Sequence, residues 1–210
     1  MATAVLLRDP STPTPRQAGL SATSQYFSPV TSESSSFASD PEDGILGLEF
    51  NFISSIGQPT LIDNLYSKGK ISSPTFAFHL ATSGSELYLR GVDTAKYTGS
   101  ITYVSLTSKT YWLTTGSSSV GSTVAYSGAM IIDSGTTVIV GPTSSVSSWW
   151  GKVSGAAACS TSVCGTTGYY TYLCASPPTC RFSFSTVGHQ VNTVQWAPST
   201  MLAHAAWALL

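Results

Sequence analysis

The chain has 210 residues, enough for one domain or one and a half with a sizeable core, and with 42% hydrophobic and 11% aromatic residues its composition excludes intrinsic disorder. Charged residues are only 9%, the formal net charge is -1 and the nine Lys and Arg are scattered, so there is no footprint for nucleic acid or an anionic membrane surface. Serine and threonine supply 63 residues, so hydroxyls carry the surface, which suits short β-strands and turns and a protein working in acid, where few carboxylates are present to be neutralised.

Residues 1–20, with Pro10, Pro13 and Pro15 among small polar residues, read as an irregular leader. The apolar run in Met1–Asp9 is too short and too interrupted by charge for a secretory signal. A short helix is expected over Thr60 to Lys68 and an alternating strand over Thr75–Leu80, with His79 on the solvent side opposite a buried Phe76 and Phe78. Further on, Leu87, Leu89, Ile101, Val104, Leu106, Val120, Val124, Ile132, Val138 and Val140 are the expected core of a curved, mostly antiparallel sheet.

The most informative string runs from Ala129 to Thr143, where Asp133 stands on a polar turn between two apolar runs. Ile131 and Ile132 before it, and Val138, Ile139 and Val140 after it, read as buried strands. Gly135 lets the backbone fold close beneath the carboxylate. Ser134, Thr136 and Thr137 offer hydroxyls and backbone N–H groups to hold it. A hairpin with an incidental Asp-Ser-Gly turn is the competing reading of the tetrapeptide alone.

A second helix is expected from Thr143 to Val153, with Thr143 or Ser144 as N-cap and Trp149 and Trp150 packing into the core. Cys159, Cys164, Cys174 and Cys180 are the only cysteines and crowd onto a Gly/Ser/Thr-rich stretch. Disulfides fit that stretch better than tetrahedral zinc, which needs tighter Cys-x-x-Cys spacing, and three connectivities are open. His79, His189 and His204 are far apart and belong to no triad or metal spacing, so no metal or cofactor is implied. The ending Met201–Leu210 is too short to span a bilayer.

The Asp133 string resembles the second active-site motif of pepsin-like aspartic proteases, two apolar residues, Asp-(Thr/Ser)-Gly-Thr, an apolar strand and Gly-Pro-Thr. Asp43-Gly44-Ile45-Leu46-Gly47-Leu48 resembles the strand that closes the family's first lobe, and Gln58-Pro59-Thr60 with Ile62-Asp63-Asn64-Leu65 its following helix. Ser85–Leu89, Gly91-Val92-Asp93, Tyr97–Ser100, Tyr111-Trp112 and Tyr169–Cys174 extend the likeness to secreted fungal members over about Ser21 to Ser185. The resemblance implies an all-β pepsin-like fold in four parts: a leader (1–20), part of a first lobe (21–80), a second lobe with the Asp-Ser-Gly-Thr motif (81–188) and a divergent tail (189–210).

It also implies an aspartic endopeptidase, secreted, acting on polypeptide and using no cofactor. Asp133 is then catalytic, Ser134 and Thr136 support it, and Gly135 and Thr137 contact an extended substrate backbone. Such an enzyme needs two carboxylates, yet Asp133 is the only acidic residue after Asp93, and none of the nine before it lies in an apolar-Asp-(Thr/Ser)-Gly turn. The first motif, the flap hairpin and the closing Ile-Leu-Gly-Asp strand are not matched, so the expectation is a chain truncated at both ends and inactive alone, completed by a missing lobe or a homodimer, or else a non-catalytic lobe that binds peptide or is structural only. On the family pattern, the cysteine matching Cys174 pairs with a late residue absent here, which leaves Cys174 with Cys180 open. Glu49 and Arg90 stand where the family has small residues.

Overall fold

The computed structural model describes residues 16–17, 19–38, 44–136, 138–186 and 189–191. These are mostly strand and turn with a few short helices, the all-β pepsin-like pattern, and they fall into two compact units that divide between Ile101 and Thr102. Among the described residues no helix is long and apolar enough to cross a membrane.

The first unit begins with a small hairpin of β1 (Arg16–Gln17) and β2 (Leu20–Ser21), followed by α1 (Ser35–Ala38) and a single 3-10 turn at Asn51–Ile53. Helix α2 (Leu61–Ser67) starts where the sequence expects it because Thr60 caps it: its hydroxyl accepts the Asp63 N–H and donates to the Asp63 carboxylate. Leu61, Ile62 and Leu65 then share one buried face and pack with Ala22, Ile71 and Leu89. Asn64 on that helix is buried too, and is paired by donating to Gln25 Oε1 at 2.9 Å.

Strands β3 (Phe76–His79) and β4 (Glu86–Leu89) form an antiparallel ribbon in which Phe76 faces Leu89 and His79 faces Glu86. Phe76 packs on the core, but Phe78 is 42% exposed and His79 is half-buried, contrary to the expected alternation. Phe76 and Leu87, the cross-strand partner of Phe78, both pack on the core, while Phe78 meets the Phe76 ring edge-on and leaves much of its own surface in solvent. Glu49 is half-buried, whereas Arg90, the residue just past β4, is exposed, so its charge costs nothing by burial. Its backbone is another matter: φ is 65°, a left-handed conformation, while its N–H donates to Thr75 O. Arg90→Gly is therefore expected to stabilise the unit by about 0.5–1 kcal/mol, read as a rise in the urea midpoint at unchanged slope; no rise would mean that the left-handed strain is absent.

In the second unit a five-stranded sheet forms around a long hairpin. Its strands are β5 (Ser108–Lys109), β6 (Trp112–Val120) and β7 (Thr123–Ile131), with β10 (Cys180–Thr186) and β11 (His189–Val191) added from far along the chain. β6 is central: β7 lies along one side, and β10 and β5 share the other. The β6–β7 loop is the pair Gly121-Ser122, with Gly121 at φ 57°, the positive angle that a hairpin of type II′ requires at its first central residue. A register shift between Ser118 and Ser119 marks a bulge.

Helix α3 (Thr143–Trp150) covers the sheet with Val146, Trp149 and Trp150, and Val153 just beyond it joins the same cluster against Val120, Ile139 and Phe182. Its cap is Pro142, which has no side-chain hydrogen bond to give, rather than Thr143 or Ser144; the Pro142 carbonyl already accepts the Val146 N–H, so the helix starts a residue early. Beyond Trp150 the bonds tighten to the i→i+3 kind at Lys152 and Val153. β8 (Ala157–Ala158), α4 (Thr161–Cys164) and β9 (Tyr170–Thr171) follow, the two strands paired with each other.

The tryptophans are core, as expected, but four apolar residues expected there are exposed: Ile101, Val124, Ile132 and Val140. Val124 sits at the hairpin tip, and Ile132 and Val140 flank a turn over which no further strand lies among the described residues. Leu87 and Leu89 belong to the core of the first unit.

The cysteines resolve into one bridge, Cys159–Cys164, with Cys174 and Cys180 free, so the Cys174–Cys180 pairing does not occur. Burial pushes the Cys180 thiol up from 9.0 to about 11, partly offset by its contact with Ser118. Between those values the unfolded chain ionises this thiol and the folded chain keeps its proton, so stability falls as pH rises through that window. Urea midpoints at rising pH are expected to drop faster for the wild type than for Cys180→Ala; parallel curves would rule the effect out.

Candidate active site

Strand β7 delivers Asp133. Its last ladder bond runs from the Ile132 N–H to Trp112 O at 3.0 Å, and the chain then turns at Ser134 and Gly135. The Asp133 carboxylate folds back over that turn. Oδ1 accepts the Gly135 N–H at 2.8 Å, and Oδ2 accepts the Thr136 hydroxyl at 2.6 Å. This is the self-bonded turn that aspartate forms readily, extended by one hydroxyl. Two donors on separate oxygens fix the carboxylate plane, so the group is oriented rather than free to rotate.

Gly135 has a steric role here. A Cβ at that position would lie 3.2 Å from Asp133 Oδ1, so any larger residue presses on the carboxylate. Ser134 is exposed and gives Asp133 no hydrogen bond, so the two donors come from Gly135 and Thr136 alone among the described residues. Thr137 lies outside the described residues. Asp133 itself is exposed.

Only the first of the two strands expected to flank the turn is present. Val138–Val140 is irregular, and Ile139 is held by the tryptophan cluster below rather than by a strand partner. A strand needs a ladder on at least one side, and no segment among the described residues supplies one there.

Within residues 94–210, Asp133 is the sole acidic side chain. Among the described residues of the first unit, Asp63 is engaged at the α2 cap, Asp93 accepts the Ala95 N–H, and Glu86 lies beside Lys96 at 3.8 Å. No group of three or more His, Cys, Asp or Glu that could hold a metal occurs among the described residues.

A family model described as eukaryotic aspartyl protease matches residues 14–201. An "Aspartic protease" of Phaffia rhodozyma is 44% identical over 179 residues, which cover 83% of this chain and 44% of the relative. Pepsin A of Sus scrofa is 39% identical over 136 residues, 61% of this chain and 35% of the relative. Rhizopuspepsin-4 of Rhizopus niveus is 36% identical over 138 residues, 62% and 35% respectively. The chain thus spans less than half the length of these curated relatives. A match over nearly the whole chain, together with a strand-borne Asp-Ser-Gly-Thr turn that holds its own carboxylate, places this chain in the eukaryotic aspartyl protease family, among the pepsin-like members.

Proposed function

We propose that the chain carries one half of an aspartic endopeptidase site, in which Asp133 is one of two carboxylates that share a proton and activate water for attack on a peptide carbonyl. The observation that carries this reading is the oriented Asp133 carboxylate, held by the Gly135 N–H and the Thr136 hydroxyl on a turn of the family's kind. One member of such a pair acts as base and the other as acid, because two close carboxylates do not both ionise cheaply. In this arrangement Thr136 supports Asp133, Ser134 helps to join the two halves of the site without bonding to Asp133, and Gly135 and Thr137 contact the extended backbone of a polypeptide substrate. Residues 21–80 and 81–188 act as parts of a first and a second lobe, and the protein works in a secreted, oxidising setting, which the Cys159–Cys164 bridge supports.

The second carboxylate comes from a polypeptide segment other than these 210 residues, since no acidic residue but Asp133 stands in such a turn. Alone, the chain is inactive, a lobe without its partner. The purified chain is expected to hydrolyse an unfolded protein at about pH 4 no faster than its Asp133→Asn variant, because one carboxylate cannot be both base and acid at full efficiency. Turnover that disappears in the variant would instead establish a homodimer that pairs two Asp133 residues.

A further inference from the structure

We propose that the Tyr126 hydroxyl is a guard built into the outer edge of β7: bonded within its own strand, it keeps that edge closed to a further strand, and its loss opens the edge to extended polypeptide. β7 has nine residues and, among the described residues, a strand partner on one side only. The register identifies which groups face the open side. Ile132 donates to Trp112 O, so the ladder to β6 uses alternate residues Ile132, Met130 and Gly128. Ser127, Ala129 and Ile131 therefore direct their backbone groups outward, with Ala129 in the middle. The Ala129 carbonyl accepts the Tyr126 hydroxyl at 2.9 Å. An arriving strand would need that carbonyl as an acceptor and would lay its backbone about 4.8 Å away, so the hydroxyl stands in the space the strand must enter.

Gly128 makes the contact possible. It shares a face of β7 with Tyr126, and a Cβ there would lie 2.6 Å from the tyrosine oxygen and 3.0 Å from its Cζ. Glycine alone leaves room for the ring to cross the strand and reach the carbonyl three residues on. Just before the tyrosine, β7 carries an extra residue, Ala125, between the pairs Ser118–Tyr126 and Ser119–Val124. That bulge ends the straight part of the edge, which leaves Tyr126–Ile131 to be closed. The commoner guards are missing: between Lys109 and Lys152 the only charged residue is Asp133 and the only proline is Pro142, both beyond β7. Closure of the straight stretch therefore falls to the hydroxyl.

In a purified sample the only extended polypeptide on offer is another copy, so edge opening reads out as aggregation. Light scattering and thioflavin fluorescence of the full chain should show a lag at least ~5-fold shorter for Tyr126→Phe than for the wild type, because the substitution keeps the ring and removes only its bond to Ala129 O. Gly128→Ala expels the hydroxyl by another route and should shorten the lag likewise, while adding little on top of Tyr126→Phe. The place at which a charge restores the lag separates edge closure from stability. In the Tyr126→Phe background, Ser127→Lys, at an exposed side chain on the edge, should bring back the wild-type lag, and Ser148→Lys, exposed on α3 and equal in charge, should not. A Tyr126→Phe lag equal to that of the wild type, or a lag that both lysines or neither restore, overturns the proposal.

Discussion

Joined to a first-lobe segment bearing an Asp-Thr-Gly turn and to a closing Ile-Leu-Gly-Asp strand, the chain is expected to hydrolyse unfolded protein in acid, and Asp133→Ala is expected to lower that kcat by about 10³-fold or more. The size follows from the division of labour in a carboxylate pair. General acid and general base each contribute roughly 10²–10⁴-fold, and removing Asp133 leaves one group to do both and no shared proton to pass between them. Thr136→Val tests the positioning separately. It removes only the 2.6 Å hydroxyl contact to Oδ2 and leaves the Gly135 N–H on Oδ1, so about a tenfold loss in kcat with little change in KM is expected. Gly135→Ala should fall between the two, because its Cβ must displace Oδ1 from a 3.2 Å approach. A chimera that unfolds cooperatively and cleaves normally with alanine at 133 would reduce the Asp-Ser-Gly turn to a turn and the family membership to a statement about fold.

What could be read from the sequence was local, and what could not depended on distant partners. Helix α2 is legible because Thr60, Asp63 and the Leu61, Ile62, Leu65 face all lie within six residues, and α3 because Val146, Trp149 and Trp150 fall at helical spacing. The turn at Ser134 and Gly135 is legible for the same reason, since aspartate and glycine make their own local hydrogen bond there. Val138–Val140 has a strand's composition and no strand's partner, and β propensity without a neighbouring ladder decides nothing. The exposure of Val124 and Ile132 has the same cause: alternation gives the face of a strand, and what covers that face comes from elsewhere in the chain. Cysteine pairing is also a question of distance rather than spacing. The short loop between Cys159 and Cys164 closes because α4 brings its two ends together, while Cys180 is drawn into β10 opposite Val120 and half-buried.

The largest stability effect is expected at Trp149. This side chain is 4% exposed, sits edge-on to Trp150 at 5.1 Å between ring centres, and donates its indole N–H to the fully buried Ser118 hydroxyl at 2.9 Å. Trp149→Ala should destabilise the second unit by about 3–5 kcal/mol, from the cavity and from the Ser118 hydroxyl left with only the weak, 3.9 Å contact to the Cys180 sulfur. Trp150 makes the comparison informative. It stacks on Tyr170 at 5.4 Å with the rings within 5° of parallel, yet its own indole N–H is buried with no acceptor among the described residues. Trp150→Phe keeps much of that stacking and removes the unpaired donor, so it should cost under ~2 kcal/mol, against the larger loss for Trp149→Phe, which strands Ser118. Urea unfolding followed by far-UV circular dichroism, with hydrogen exchange to localise the loss to residues 102–191, gives the ranking. If the two phenylalanine variants are equally destabilised, the Trp149–Ser118 hydrogen bond contributes nothing and the cluster is held by apolar contact alone.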